Sequence, residues 1–229
     1  MKKVIKIAHL YYDLLNLYGE AGNIRAIKEF IERNGIDVEI HFLTIGDKIN
    51  FKDYDFYYIG QGSEENRNFV LKDLMKYKKE IKEAIENNKV FLATGNAMEL
   101  FGKSIINDKN KIECLNIFEY SSITKQNRLV KDIRYIIDKK YMLGFKNCSE
   151  EIINNKHAIE GYNDTYNKYN FFGFNFVGPL LIRSPYFTNK LIEIILNQKN
   201  INITLPTNTI EFEAYNNILK NEKLKDTTK

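Results

Sequence analysis

Thr94-Gly95-Asn96-Ala97 stands between a continuous apolar run, residues 90–94, and a segment, residues 98–101, that reads as the start of a helix. A nucleophile elbow belongs in that place. One residue is held in a strained turn at the carboxyl edge of a parallel strand, where ligands of open α/β sheets gather. Nucleophilic catalysis there needs Ser, Cys or Thr at the tip and a base within reach. The chain offers Gly95, which accepts the backbone of such a turn at little cost, so the elbow can persist without its chemistry. Thr94, one residue earlier, is expected to point back to the core. Gly60-Gln61-Gly62, followed by Ser63 and Glu64, ends another apolar run. It lacks the third glycine of a dinucleotide fingerprint and reads as a tight turn that exposes backbone N–H groups. Gly102-Lys103-Ser104 lacks the phosphate-loop glycine five positions earlier, where Ala97 stands, and it follows a helix instead of preceding one. It reads as a helix stop.

The remaining groups able to do chemistry are sparse. Cys114 and Cys148 are too few for a disulfide framework and lack metal-ligand spacing, and His9, His41 and His157 are scattered singly. No metal and no cofactor is expected. A thiol becomes a nucleophile only beside a base or a positive field. The sequence sets His9 in a first strand, His41 in a second and His157 in a loop, none of them beside a thiol, so both cysteines read as buried and inert.

The elements that position these residues follow from periodicity. Residues 4–10 form a short β-branched run that fits a buried strand, residues 37–45 lead into a second strand, and residues 54–59 form a third. Asn23 is expected to cap a helix with Ile24, Ile27, Phe30 and Ile31 on one face, stopped at Asn34-Gly35. Residues 66–86 read as one long helix with Leu71, Leu74, Met75, Ile81 and Ile85 inward. Alternation of strand and helix over the first hundred residues predicts a parallel α/β sheet flanked by helices, with Val90–Thr94 central and buried on both faces. Later, residues 115–143 read as short strands, 163–172 as an aromatic and polar loop, and 174–182 as strand-like. Pro185 opens a helix carrying Phe187, Leu191, Ile192, Ile195 and Leu196. One domain is expected over residues 1–200, with a C-terminal extension over 201–229, helical and then frayed beyond Lys220.

Composition narrows the function classes. Of 229 residues, 44% are hydrophobic and 28% charged, which excludes disorder and collagen-like repeats. A formal charge of +4 is modest. The abundant Lys, Ile and Asn fit the codon bias of an AT-rich genome, and no basic stripe interleaved with aromatics points to nucleic acid. No apolar run approaches the ~20 residues of a membrane span. Lys6, His9 and Asp13 interrupt the opening apolar run, so it reads as a strand and not a signal peptide, and a cytoplasmic protein is expected.

Several longer motifs carry a family resemblance. Leu10-Tyr11-Tyr12-Asp13-Leu14-Leu15-Asn16-Leu17-Tyr18-Gly19, running on to Gly22-Asn23-Ile24, resembles the opening of cobyric-acid-synthase-type class I glutamine amidotransferases, in particular the glutaminase subunits of bacterial lipid II isoglutaminyl synthase. Ile59-Gly60-Gln61-Gly62-Ser63-Glu64 resembles the family's glycine-rich oxyanion strand end. Thr124 through Asn127-Arg128-Leu129 to Asp132-Ile133 is similar to its Thr…Asn-Arg-Leu…Asp-Ile segment. Gly144-Phe145-Lys146-Asn147-Cys148 stands where the family has Gly-Phe-Glu-Asn-His. Gly161-Tyr162-Asn163-Asp164, Gly178-Pro179-Leu180-Leu181 and Ser184-Pro185 match later motifs. The matches run in order from Ile7 to about Leu196.

The resemblance implies a class I amidotransferase-like, flavodoxin-like sheet in a single domain, and it makes two departures visible. The family's elbow Cys-Gly-Gly-Tyr-Gln is Gly95-Asn96-Ala97-Met98-Glu99 here, and its base motif Tyr-Leu-His-Gly-Pro is Asn175-Phe176-Val177-Gly178-Pro179. The nucleophile position thus holds Gly95 and the base position Val177, and neither side chain attacks a carbonyl or moves a proton. Arg128 matches an arginine implicated in holding glutamine; an exposed solubilising arginine is the alternative. Candidate pocket residues are Gly60, Gln61, Gly62, Ser63, Asn96, Met98, Glu99 and Arg128.

Three functions follow as expectations. The first is an inactive binding or regulatory subunit of a Mur-ligase-like, ATP-dependent synthetase. The second is an enzyme rebuilt at the old pocket on Ser63, Glu64, Glu99 or Asp164. The third is a sensor holding glutamine or a similar small amide through Arg128 and the 60–62 amides. Tyr162, Tyr166, Tyr169, Phe171 and Phe172 are the candidate contact aromatics for a protein partner, with folding back onto the sheet as the alternative.

Overall fold

A computed structural model describes residues 3–108 and 110–220. Its main sheet contains β1 (Val4–Leu10), β2 (Asp37–Leu43), β3 (Phe56–Ile59), β4 (Val90–Thr94), β9 (Thr165–Lys168) and β10 (Phe171–Phe174), in the order β2-β1-β3-β4-β10-β9. All neighbours are parallel except β9, which runs antiparallel to β10. Every residue of β3 and β4 is buried. Strands covered on both faces lose polar alternation, which is why these two read as continuous apolar runs. As expected, β4 is interior.

Helices α1 (Ala21–Glu32) and α5 (Pro185–Gln198) cover one face, where Ile24, Ile27, Ile31, Leu191, Ile192 and Ile195 pack on Phe56, Val90 and Leu92. The other face is covered by α2 (Glu64–Leu74) and α3 (Lys78–Glu86), where Leu71, Leu74, Ile81 and Ile85 pack on Tyr57 and Phe91. Residues 66–86 are therefore two helices and not one. A 3-10 turn, Met75–Tyr77, separates them and leaves Met75 exposed. Asn23 lies inside α1 instead of capping it. Its amide is spent on Tyr58, Gly178 and Leu181, a demand the local sequence does not show.

The second half departs most from expectation. Residues 115–143 do not form a series of short strands. β5 (Ser104–Ile106) and β6 (Lys111–Glu113) join β7 (Ser121–Ile137) and β8 (Lys140–Ile153) in a second sheet ordered β6-β5-β7-β8. β7 and β8 are one long hairpin whose turn residues, Asp138 and Lys139, have φ of 51° and 62°. Two-residue hairpin turns favour such positive φ at both positions, usually supplied by Asn or Gly. The hairpin reaches both cores, with Ile152 in one and Ile133, Tyr135, Ile137 and Met142 in the other. Between them, residues 125–132 are exposed, which removes the alternation that would reveal a strand.

The aromatic segment 163–172 is not a loop, because β9 and the start of β10 fall within it. Tyr166, Phe171 and Phe172 are buried, while Tyr169 is exposed. Residues 174–182 likewise end β10 and then enter the short helix α4 (Leu180–Arg183). α6 (Ile210–Lys220) buries Phe212 and Tyr215 against Tyr186; the expected fraying beyond Lys220 lies outside the described residues. No helix among the described residues is long and apolar enough to cross a membrane.

His9 carries a testable consequence. It is buried among Tyr12, Phe42 and Tyr58, neither ring nitrogen has a partner, and burial lowers its pKa to about 4. Below pH 6.5 the unfolded chain takes up a proton that the folded chain refuses until about pH 4. Stability therefore falls as pH drops through that window, by up to about 3 kcal/mol. Urea unfolding at pH 7 and pH 4.5 should show this loss, and His9→Phe should flatten it. An equal pH slope in both proteins would refute the assignment.

Candidate functional site

β4 ends at Thr94 and the chain turns at once into a 3-10 helix, Gly95–Phe101. Gly95 has φ +60°, a left-handed conformation that costs a side-chain-bearing residue energy. The elbow backbone is thus present at the carboxyl edge of the central strand.

The space in front of Gly95 is filled. A Cβ there would overlap Gln61 Oε1 and stand 2.8 Å from Gln61 Cβ and Cδ. Gln61 Oε1 accepts a hydrogen bond from the Asn96 backbone N–H at 2.5 Å, and its Nε2 donates to the Gly62 carbonyl at 3.0 Å. Asn96 returns the pairing. Its Nδ2 donates to Gly62 O at 2.8 Å, while Gly62 N–H donates to Asn96 Oδ1 at 3.1 Å. The turn after β3 and the turn after β4 are therefore joined through their own carboxamides. The backbone N–H groups of Gly62 and Asn96, which flank the elbow, are both occupied. Glycine is required in the first turn because residues 14–20 lie against it: a Cβ on Gly62 would meet Leu14 O at 2.9 Å, and Leu17 N–H donates to Gln61 O at 3.0 Å.

Below this junction sits a residue that sequence reasoning did not single out. Glu20 is fully buried. Its Oε1 accepts from Gly178 N–H at 2.6 Å, and its Oε2 accepts from the Tyr58 hydroxyl at 2.6 Å and the Thr94 hydroxyl at 2.8 Å. Burial pushes the carboxyl pKa up, and these donors oppose the shift. One side chain thereby ties the residue before Gly95 to the residue after Val177. An acid immediately before the start of α1 is the only trace of this in the sequence. Thr94 is committed to that network and has no exposed surface.

Val177, which the resemblance sets at the base position, is buried and its N–H donates to Phe145 O at 2.9 Å. Of the candidate pocket residues, Gly60, Gln61, Gly62 and Asn96 come together. The others do not join them. Ser63 caps α2 by accepting from Asn66 N–H at 3.1 Å. Met98 is buried, and its carbonyl accepts from the Tyr120 hydroxyl at 2.5 Å. Glu99 is buried in a 2.6 Å ion pair with Arg67, and burial outweighs that attraction to push its pKa to about 8. Arg128 is exposed on β7, with Nε donating to Asn147 Oδ1 at 2.5 Å and a terminal nitrogen donating to Asn147 O at 3.0 Å. Its link to the site is indirect: Asn147 Nδ2 donates to the Tyr18 hydroxyl at 2.9 Å, and Tyr18 belongs to the loop lying over Gln61. Asp164 is engaged by Lys146 and the Tyr135 hydroxyl.

The thiols remain apart from the histidines. Burial pushes Cys114 up to about 12 and also raises Cys148, so both are held protonated. Cys114 Sγ donates to Ile112 O and Cys148 Sγ to Glu150 O, and the histidine rings pack on tyrosines, His9 on Tyr58, His41 on Tyr54 and His157 on Tyr166.

Residues 6–164 match the sequence model of the CobB/CobQ-like glutamine amidotransferase domain. The chain is similar to the subunit GatD of lipid II isoglutaminyl synthase (glutamine-hydrolyzing) from Staphylococcus aureus, at 30% identity over 86% of each chain. Its similarity to the Streptococcus pneumoniae subunit of the same name is 27% identity over 95% of this chain and 88% of the relative. Among solved structures, a glutamine amidotransferase superposes with a TM-score of 0.55 at 13% identity, covering 82% of this chain and 98% of that one. The glutaminase domain of Trypanosoma brucei CTPS with bound acivicin superposes with a TM-score of 0.52 at 10% identity, covering 90% and 98%. These two likenesses concern the fold.

Proposed function

Since the chain belongs to the CobB/CobQ-like glutamine amidotransferase family, we propose that it is a member without glutaminase chemistry. In this reading it serves as a binding or regulatory subunit of a Mur-ligase-like, ATP-dependent amide-forming synthetase acting on a cell-wall precursor. The observation that carries the reading is Gln61: its carboxamide fills the side-chain space in front of Gly95 and holds the Asn96 N–H. A site whose nucleophile position is glycine, whose base position is valine and whose amides bind the protein itself has nothing left with which to attack an amide. The same occupation weighs against the sensor reading, because the 60–62 amides are not open to a glutamine side chain. A rebuilt enzyme fares no better, since Ser63, Glu99 and Asp164 are committed to a cap and two ion pairs, and Glu64 only opens α2.

The partner rests on the relatives, which are named as subunits of a synthase, and not on the aromatic segment, whose Tyr166, Phe171 and Phe172 are buried in this chain's own core. Affinity purification from the native cell should recover a Mur-ligase-like synthetase with the protein. Isothermal titration of the purified protein with glutamine should give no binding heat. Recovery of the protein alone, together with saturable glutamine binding, would overturn the subunit reading in favour of a sensor.

A further inference from the structure

The main sheet ends on two edge strands, β9 and β2, and the chain treats them differently. β9 is covered: Asn167 N–H donates to His157 O at 3.0 Å, and Asn155 Nδ2 donates to Thr165 O at 2.6 Å. In the second sheet, β8 is met at Leu143 by the Ser184 hydroxyl and at Phe145 O by the Val177 N–H, while β6 is three residues long and opens on a lysine. β2 runs seven residues in unbroken register with β1, without proline, lysine or bulge. Natural edges are blunted by such devices because unpaired backbone groups template pairing with another chain.

The direction of those groups is fixed. Leu43 O accepts from Tyr11 N–H at 2.6 Å, so the odd-numbered residues of β2 turn their backbone groups toward β1. By alternation, the N–H and C=O of Val38, Ile40 and Phe42 point out of the sheet, and among the described residues no backbone or side-chain group meets them. The side chains of these three share one face, where Phe42 is 55% exposed. Glu39 and His41 share the other face and are partly exposed.

We infer that β2 is a dimerisation edge, pairing antiparallel with β2 of a second copy so that Ile40 faces Ile40 on the two-fold axis. The strand is complementary to itself in this register. Val38 of each copy exchanges backbone bonds with Phe42 of the other, and its side chain packs on that ring. Glu39 stands opposite His41 twice, at the positions where cross-strand side chains come closest. Neighbouring registers lose this match: centring the pair on residue 39 sets Glu39 against Glu39, and centring it on 41 sets Glu39 against Leu43. The contact is isologous and closed, so it yields a dimer and not a fibre. Because the strands of the two copies run in opposite directions, the two Gly95 turns stand at opposite ends of one continuous sheet.

Sedimentation velocity of the full chain, in a series up to about 100 µM, should show a monomer–dimer equilibrium. Phe42→Pro removes an N–H that bonds nothing in the single chain, a change edge strands tolerate, and should abolish the dimer while the ¹H–¹⁵N spectrum stays that of a folded protein. His41→Glu should weaken the dimer about tenfold or more, since symmetry creates two like-charged pairs. Adding Glu39→Lys to it sets lysine opposite glutamate at both places and should restore the dimer. A monomer throughout the series, a dimer that survives Phe42→Pro, or a charge exchange that restores nothing would each overturn the proposal.

Discussion

Purified protein is expected to release no ammonia from glutamine above the uncatalysed rate, and the double change Gly95→Cys with Val177→His is expected to leave it inactive while Gln61 remains. Losing either member of a nucleophile–base pair removes several orders of magnitude in rate, and in the proposed reading both positions are replaced. Restoring the pair alone fails for a steric reason. A Cβ on Gly95 meets not only the tip of Gln61 but its Cβ and Cδ at 2.8 Å, so the whole side chain has to leave. The left-handed φ of +60° adds about 1–2 kcal/mol for any non-glycine residue. Gly95→Cys should therefore destabilise the fold by more than the backbone term alone, and Gln61→Gly should relieve the excess. The triple variant Gln61→Gly, Gly95→Cys, Val177→His frees the Asn96 N–H for an oxyanion and is the one expected to show weak, alkylation-sensitive ammonia release. Coupled ammonia assays on the unmodified protein, the double variant and the triple variant check this. Activity in the unmodified chain that Cys148→Ala removes would reveal a relocated nucleophile and refute the argument.

Arg67→Met should cost most at and above pH 8, up to about 3–5 kcal/mol, because there it leaves an ionised Glu99 carboxyl buried without its cation. Glu99→Gln should cost much less. Its carboxyl, raised to about 8, is largely protonated at neutral pH, so a neutral amide resembles the state already present. Glutamine is also the residue that the resembling elbow carries there. Between pH 4.5 and 8 the folded chain keeps a proton on Glu99 that the unfolded chain has lost, so this group lowers stability as pH rises through that window. Glu99→Gln should remove that slope, and the double variant with Arg67→Met should recover part of the single-variant loss, since replacing a whole buried pair is often nearly neutral. Urea unfolding of the three variants at pH 5 and pH 8 measures both effects. An Arg67→Met cost under about 1 kcal/mol at pH 8 would show that the pair is not held dry.

By itself the sequence determined the parallel core and the elbow, and it places neither thiol nor imidazole at positions 95 and 177. β3 and β4 are buried on both faces, and that burial appears as unbroken apolar runs. Gly95 is legible because only a few residue types accept its turn, and the absence of a thiol or imidazole at positions 95 and 177 is a matter of composition at matched motifs. Tertiary structure alone decided what fills the site. Gln61 and Asn96 are 35 residues apart and meet because β3 and β4 are neighbours, so no local pattern announces their pairing. Glu20 joins Thr94 and Gly178 across 74 and 158 residues. The long hairpin is hidden in the sequence for a related reason: its exposed middle is written in charges, and its ends are buried in two separate cores. Periodicity records which face of an element is dry; which distant side chain occupies a turn depends on the strand order, which periodicity does not contain.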